Sequence, residues 1–193
     1  MSLNHAIRRQ ANSLRLRGLL AFGARAHALA LTHRLLAADA SNTHALATRV
    51  HLLMELGQAQ AALADLTQLV RLVPQQATAW FNLGFVQESL GQLDEATRSL
   101  VRATELDPAM DRAWYGLGLC HIRCAQWDEA LRALERGTEL QPLSPHAWYQ
   151  LARVHLERGR ITEAQRILVH LRGFEPKVAD QLERDTGLWA ASA

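Results

Sequence analysis

The sequence contains few of the residues that interrupt helices or mark a disulfide-bonded secreted chain. Its 193 residues include five prolines, two cysteines and a single lysine, Lys177. Alanine, leucine, arginine, glutamate and glutamine are abundant and β-branched residues are few, a composition that favours helix throughout. Cys120 and Cys124 lie four residues apart in one helical stretch, where disulfide geometry is poor, so we expect reduced thiols and a cytoplasmic protein.

Long apolar runs are also missing. The longest weakly polar stretch, residues 18–31, is interrupted by Arg25 and His27 and is too short and too charged to span a membrane, so no transmembrane segment is expected. The net charge of +2 is too small to indicate a nucleic-acid partner. The charge is unevenly distributed, because residues 1–42 hold six arginines and one acid, Asp39, and carry +5, while the remainder carries −3.

The chain repeats itself at an interval of 34 residues. "AWFNLG" at residues 79–84 returns as "AWYGLG" at 113–118 and as "AWYQLA" at 147–152. A fixed period of this length is the signature of a repeat protein, in which each unit packs only against its neighbours. Four residue types follow the same interval: Trp80, Trp114 and Trp148; Pro74, Pro108, Pro142 and Pro176; Ala62, Ala96, Ala130 and Ala164; and Leu66, Leu100, Leu134 and Leu168.

Each unit is predicted to be a helical hairpin. In residues 77–110 the first helix extends to about Leu90, Gly91 ends it, and a second helix opens near Asp94 and ends before Pro108. Residues able to accept from free backbone N–H groups are expected to cap the second helices. These predicted caps are Asp94, Asp128 and Thr162.

On these residues the chain resembles the tetratricopeptide repeat family. The positions that carry the resemblance in residues 77–110 are Trp80, Leu83, Gly84, Ala96, Leu100, Ala103 and Pro108. The resemblance implies an all-α fold, a right-handed superhelical solenoid of antiparallel helix pairs. The tyrosine position of the family pattern departs from it in all four units, which carry Leu53, Gln87, His121 and His155 there.

The whole chain, residues 1–193, is interpreted as a single domain of this family. Its repeats are predicted at residues 43–76, 77–110, 111–144 and 145–178, with a degenerate copy at 9–42. Residues 179–189 are expected to form a C-terminal capping helix.

A helical projection at about 100° per residue divides the first helix of each unit into two faces. Trp80, Leu83, Gly84 and Gln87 lie around the face that packs on the second helix. The opposite face lines the concave groove that holds partner peptides in proteins of this family. Reading it along the stack gives the predicted partner-binding residues: His44, His51, Phe81, Asn82, Phe85, Arg112, Tyr115, Leu119, Ile122, Arg123, His146, Tyr149 and Arg153.

The leading hypothesis is a protein-binding adaptor or chaperone, with bacterial secretion chaperones and assembly factors as the analogy. Its partner would be a protein or peptide segment with apolar and acidic side chains, because apolar residues in the groove are fringed by arginines. The alternative is a self-associating scaffold, a homo-oligomer, or a docking subunit of a larger enzyme or secretion complex. The Ala-rich, Arg-for-Lys composition suits a high-GC bacterium.

Other sites receive weaker support from the sequence. Some family members bind the C-terminal carboxylate of a chaperone with five basic and amide side chains. The matching positions here hold Ala47, His51, Asn82, Arg112 and Gly116, and two of the required charged side chains are missing. Cys120, His121 and Cys124 lack a fourth zinc ligand and are interpreted as packing residues, with His121 on the core face, so no metal and no cofactor is expected. No catalytic motif is present, and the chain is not predicted to be an enzyme. The basic N-terminus is interpreted as a solvated helix face, with an acidic membrane or RNA as alternatives.

Overall fold

The computed structural model describes residues 3–189, with the backbone alone for residues 3–10. Within that range the chain is an all-α, right-handed superhelical solenoid of antiparallel helix pairs, as the sequence predicted. Each helix packs mainly against the next one along the chain, with smaller contacts between helices two apart, so the packing is local in sequence. The helices are α1 (Leu3–Ala21), α2 (Arg25–Ala38), α3 (Thr43–Glu55), α4 (Ala59–Leu72), α5 (Ala77–Ser89), α6 (Leu93–Leu106), α7 (Asp111–Arg123), α8 (Trp127–Leu140), α9 (Pro145–Glu157), α10 (Ile161–Phe174) and α11 (Pro176–Thr186).

The alanine and leucine ladders form the core of the hairpins. Each leucine of the ladder on the second helices is at most 1% exposed, and each alanine of that ladder is fully buried. The first helix must approach closely, and glycine permits this. A Cβ built on Gly118 would lie 2.7 Å from Cγ of Leu134, and one built on Gly84 would lie 2.7 Å from Cγ of Leu100. These two glycines are therefore required by close packing between the two helices of a hairpin.

The tryptophan and proline ladders are joined by hydrogen bonds. The indole N–H of Trp80 donates to the carbonyl oxygen of Pro74 at 2.9 Å. Trp114 and Trp148 repeat the bond to the prolines six residues before them, at 3.0 and 2.7 Å. An indole that packs on the core needs a partner for its N–H. Each tryptophan thus ties the start of a hairpin to the loop that precedes it.

The predicted caps of the second helices are wrong. The residue before α6 is Gln92, and no side chain caps the helix, while Asp94 lies inside the first turn. The same holds for Asp128 in α8 and Thr162 in α10. The turn at Gly91 is so short that α6 begins at once, as the bond from Ala96 N–H to the carbonyl of Gln92 shows. The acids stabilise the helix from its first turn through the helix dipole.

That short turn needs a residue in the left-handed backbone conformation, and one unit has no glycine at this position. Gly57, Gly91 and Gly159 have φ between 69° and 76°, and Ala125 occupies the equivalent place with φ 54°. Its hydrogen bonds are those of the glycine turns: Gln126 N–H donates to His121 at 2.9 Å and Ala125 N–H to Ile122 at 3.0 Å. A side chain in this region costs free energy that glycine avoids.

Replacing Ala125 by glycine should therefore stabilise the protein. We expect the free energy of unfolding to rise by about 0.5–1 kcal/mol, the relief of left-handed strain less the greater chain entropy of glycine. Urea unfolding followed by circular dichroism measures it. The matched control is Gly91→Ala, which should lower stability by a similar amount, and a loss of stability in Ala125→Gly would contradict the assignment.

Counting the degenerate copy at 9–42 as the first unit, the second unit, residues 43–76, holds an ion pair in place of apolar packing. Arg49 of α3 donates to both carboxylate oxygens of Asp65 in α4, at 2.6 and 2.5 Å, and Asp65 is nearly buried. The equivalent residues of the fourth unit are Leu117 and Ala133, both buried. Asp65→Ala should cost about 2 kcal/mol of unfolding free energy, because it leaves a partly buried guanidinium unpaired.

The double variant Arg49→Leu with Asp65→Ala tests this reading, since it copies the apolar pair of the fourth unit. We expect its unfolding free energy to lie within about 1 kcal/mol of the wild type. Denaturant unfolding of the single and double variants measures these free energies. A double variant as unstable as Asp65→Ala would show that the second unit needs the charges themselves.

The ends of the solenoid differ from the prediction in their bounds. α1 begins at Leu3, six residues before the degenerate copy predicted at residue 9. The last helix begins at Pro176 and ends at Thr186, instead of spanning 179–189, because Gly187 adopts φ 68° and stops it. Residues after 189 lie outside the described range. Among the described residues, no helix is both long and apolar enough to cross a membrane.

Candidate partner-binding groove

The first helices expose one face and bury the other, as the helical projection predicted. In α5, Leu83, Gly84 and Gln87 are buried against α6, and Gln87 accepts a hydrogen bond from Ser99 at 2.7 Å. On the other side Phe85 is 53% exposed. The ring of Phe81 stacks on that of Phe85, with centroids 6.3 Å apart. The two phenylalanines form an apolar ridge on the surface of the stack.

Two cavities lie on either side of this ridge. The α3–α5 cavity has a volume of about 260 Å³. Its lining residues are Ala47, Val50, His51, Met54, Phe81, Asn82, Phe85 and Val86. The α5–α7 cavity has a volume of about 140 Å³. Its lining residues are Phe81, Phe85, Glu88, Leu100, Arg112, Tyr115, Gly116 and Leu119.

Arg112 gives the α5–α7 cavity a positive edge. Its guanidinium lies over the ring of Phe81, with Cζ 4.8 Å from the centroid, a cation–π contact made by an exposed residue. Glu88 lines the same cavity, but Arg123 neutralises it: the Arg123 guanidinium donates to the Glu88 carboxylate at 2.5 Å and to its backbone carbonyl at 2.9 Å. The cavity therefore combines apolar walls with one cation that has no carboxylate partner in the described part of the chain.

Several predicted groove residues have partners within the chain instead of standing free. Arg123 does not fringe the groove as an unpaired cation, because it bridges α7 to Glu88 of α5. Ile122 was expected on a wet face and is partly buried against the core cluster of the fourth and fifth units. The imidazole of His44 lies 3.1 Å from the hydroxyl of Ser13 in α1. His51 contacts Glu55 one turn later, at 3.4 Å.

In the fifth unit, one of the three predicted groove residues, Tyr149, contacts the last helix. Tyr149 donates its hydroxyl proton to Asp185 of α11 at 2.5 Å. Burial raises the pKa of Tyr149, and the Asp185 carboxylate raises it further. Arg153 lies over the Tyr149 ring at 5.9 Å and is exposed, as is His146. Neither lines the two cavities.

The structure brings together the middle of the predicted set. His51, Phe81, Asn82, Phe85, Arg112, Tyr115 and Leu119 surround the two cavities. Tyr115 is half-buried and packs against the core, and this burial raises the pKa of its hydroxyl. The sequence reading missed Glu88 and Met54. The signal for Glu88 was available, because it follows Phe81 and Phe85 by seven and three residues on the same helical face.

Cys120 and His121 of α7, both predicted to be packing residues, differ in burial. Cys120 is fully buried, and burial raises the pKa of its thiol to about 11, so it carries almost no thiolate near neutral pH. His121 is half-buried and lies 2.7 Å from the Gln126 side chain, nearer the surface than the core position expected for it. In residues with described side chains, no cluster of three metal-ligating groups occurs.

Comparison with known families agrees with this architecture. One tetratricopeptide repeat model matches residues 89–147 and 126–182, and a second tetratricopeptide repeat model matches residues 48–97. The chain belongs to the tetratricopeptide repeat family. A comparison with curated proteins found no match.

Solved structures share the fold over almost the whole chain. A MamA protein superposes with a TM-score of 0.79 at 21% identity, covering 96% of this chain and 97% of that one. YrrB, described as a TPR protein with an unusual peptide-binding site, gives 0.79 at 20% identity, covering 95% and 98%. A MamA fragment from Desulfovibrio magneticus RS-1 gives 0.77 at 21% identity, covering 92% and 96%. At these identities the likeness concerns the fold.

Proposed function

We propose that this protein is an adaptor or chaperone that holds a segment of a partner protein across the Phe81–Phe85 ridge. The observation that carries the proposal is the half-exposed ring of Phe85 between two open cavities. An exposed apolar surface of this kind, bordered by an arginine, is typical of a binding site. The fold is that of a protein-interaction module, and YrrB, a similar structure, is described as having a peptide-binding site.

The charges around the groove indicate the chemistry of the segment. Glu88 is paired with Arg123, and Glu55 with Arg25 of α2 at 2.6 Å, so the acids at the groove are already neutralised. Arg112 has a ring beneath it and no carboxylate partner among the described residues. A segment with apolar side chains for the cavities and a carboxylate for Arg112 satisfies both features. The proposed role is non-catalytic and cytoplasmic, consistent with two free thiols.

The experiment that tests this proposal maps a captured partner to the groove. A protein captured from the native host is cut into overlapping peptides, and the binding peptide is titrated into the full chain during hydrogen exchange. We expect one peptide per chain and new protection in α5 and α7. Protection on the second helices alone, or a concentration-dependent oligomer that binds no peptide, would support the scaffold interpretation instead.

A further inference from the structure

From residue 11 onward, the outer face of α1 is an apolar stripe that has no packing partner among the described residues. At about 100° per residue, Ala11, Leu14, Gly18 and Ala21 fall within about 80° of one another. Leu14 is 64% exposed, and a Cβ built on Gly18 would meet no atom within 4 Å. Phe22 follows directly and is 91% exposed, with its N–H bonded to the carbonyl of Gly18 at 3.1 Å. These five residues are called the α1 stripe.

The opposite face of α1 packs against the rest of the solenoid. Leu16 is fully buried, and Leu19 and Leu20 pack beside it against Leu31 and the start of the stack. The α1 stripe is therefore not the packing face of this helix. Removing its apolar side chains should leave the hairpin formed by α1 and α2 intact.

Arginines border the α1 stripe on both sides. Arg15 and Arg17 project about 40° beyond its two edges. Both are exposed, and neither forms an ion pair with a side chain described for residues 11–189. Residues 1–42 hold six arginines and one acid, so this end of the protein is strongly positive while the rest is negative. An apolar strip flanked by arginines is the pattern of a helix that lies in a membrane interface.

From this arrangement we propose that the α1 stripe docks on the surface of an anionic lipid bilayer. Leu14 and Phe22 enter the boundary between headgroups and acyl chains, while Arg15 and Arg17 contact the lipid phosphates. RNA would satisfy the arginines but offers no apolar phase to the stripe. A second copy of the chain is the alternative occupant, because Trp189, just beyond α11, is 74% exposed, and the sedimentation measurement below distinguishes it. The docking leaves the groove on α5 and α7 free.

Flotation of the full chain with vesicles tests the proposal. The vesicles are phosphatidylcholine alone or phosphatidylcholine with roughly one-third phosphatidylserine. We expect binding to the anionic vesicles only, weakening as salt is raised. Arg15→Gln with Arg17→Gln should weaken binding about 10-fold or more, and Leu14→Ala with Phe22→Ala by about 10-fold. Circular dichroism checks that each variant stays folded.

Matched variants separate this site from general stickiness. Leu143→Ala removes an exposed leucine from the loop between α8 and α9, away from α1, and should bind as the wild type does. Gly18→Leu adds apolar surface to the stripe and should strengthen binding several-fold. The proposal is overturned if neutral and anionic vesicles bind equally, if neither binds, or if the Leu14 and Phe22 variant changes only self-association in sedimentation.

Discussion

Replacing Phe85 by alanine should weaken partner binding about 10-fold while leaving the fold intact. The ring is half-exposed, so a bound segment would cover the remaining apolar surface, and truncation forfeits about 1–2 kcal/mol of binding free energy. The loss of stability is smaller, because the ring is already half-exposed in the free protein and its stacking on Phe81 contributes about 1 kcal/mol. Calorimetric titration of the mapped peptide and thermal unfolding measure the two effects.

The matched control for Phe85→Ala is Val169→Ala. Val169 is 57% exposed on α10, a second helix that does not line the groove, and its truncation should change neither affinity nor stability. Phe85 is a better test residue than Tyr115, although both belong to the predicted groove. Tyr115 packs against the core, so Tyr115→Ala is expected to lower stability as well as affinity. Equal affinity of Phe85→Ala and the wild type would contradict the proposed site.

Replacing Leu134 by alanine should lower the free energy of unfolding by about 3 kcal/mol. Leu134 is fully buried in α8 and lies against Gly118 of α7, where no Cβ fits. The cavity left by truncation cannot close easily, because helices on both sides already touch at this level. In a repeat protein the loss spreads through the interfaces with neighbouring units. Urea unfolding measures it.

Leu143→Ala is the control for this prediction, because it changes the same residue type at a site that is 71% exposed. We expect its unfolding free energy to stay within about 0.5 kcal/mol of the wild type. If Leu134→Ala and Leu143→Ala were equally stable, the leucine ladder would not be the core of the hairpins.

The fold could be predicted because its signals are local and repeated. The 34-residue ladders fix which residues meet within each hairpin, and Leu100, Leu134 and the tryptophans lie where the ladders indicate. A helical projection also identifies the exposed side of α5. These predictions depend on periodicity, which a single sequence displays directly.

The details of the groove could not be predicted in the same way. Arg123 and Tyr149 lie on the predicted faces, but their side chains reach residues on neighbouring helices, Glu88 and Asp185. Periodicity gives the direction of a side chain from its own helix and not the partner that the adjacent helix offers. The misplaced caps have a similar cause, because the length of the turn at Gly91 decides where α6 begins. Glycine marks the place of the turn, but the sequence does not show the backbone hydrogen bonds that set its length.

Photo-crosslinking from position 85 tests whether a partner segment lies on the Phe81–Phe85 ridge. Benzoylphenylalanine replaces Phe85 in one variant and Val169 in another, and each full-length protein is irradiated with the partner. We expect a covalent adduct to the partner segment from position 85 and none from position 169. Adducts from position 169 alone, or adducts from position 85 only to a second copy of the chain, would contradict this expectation.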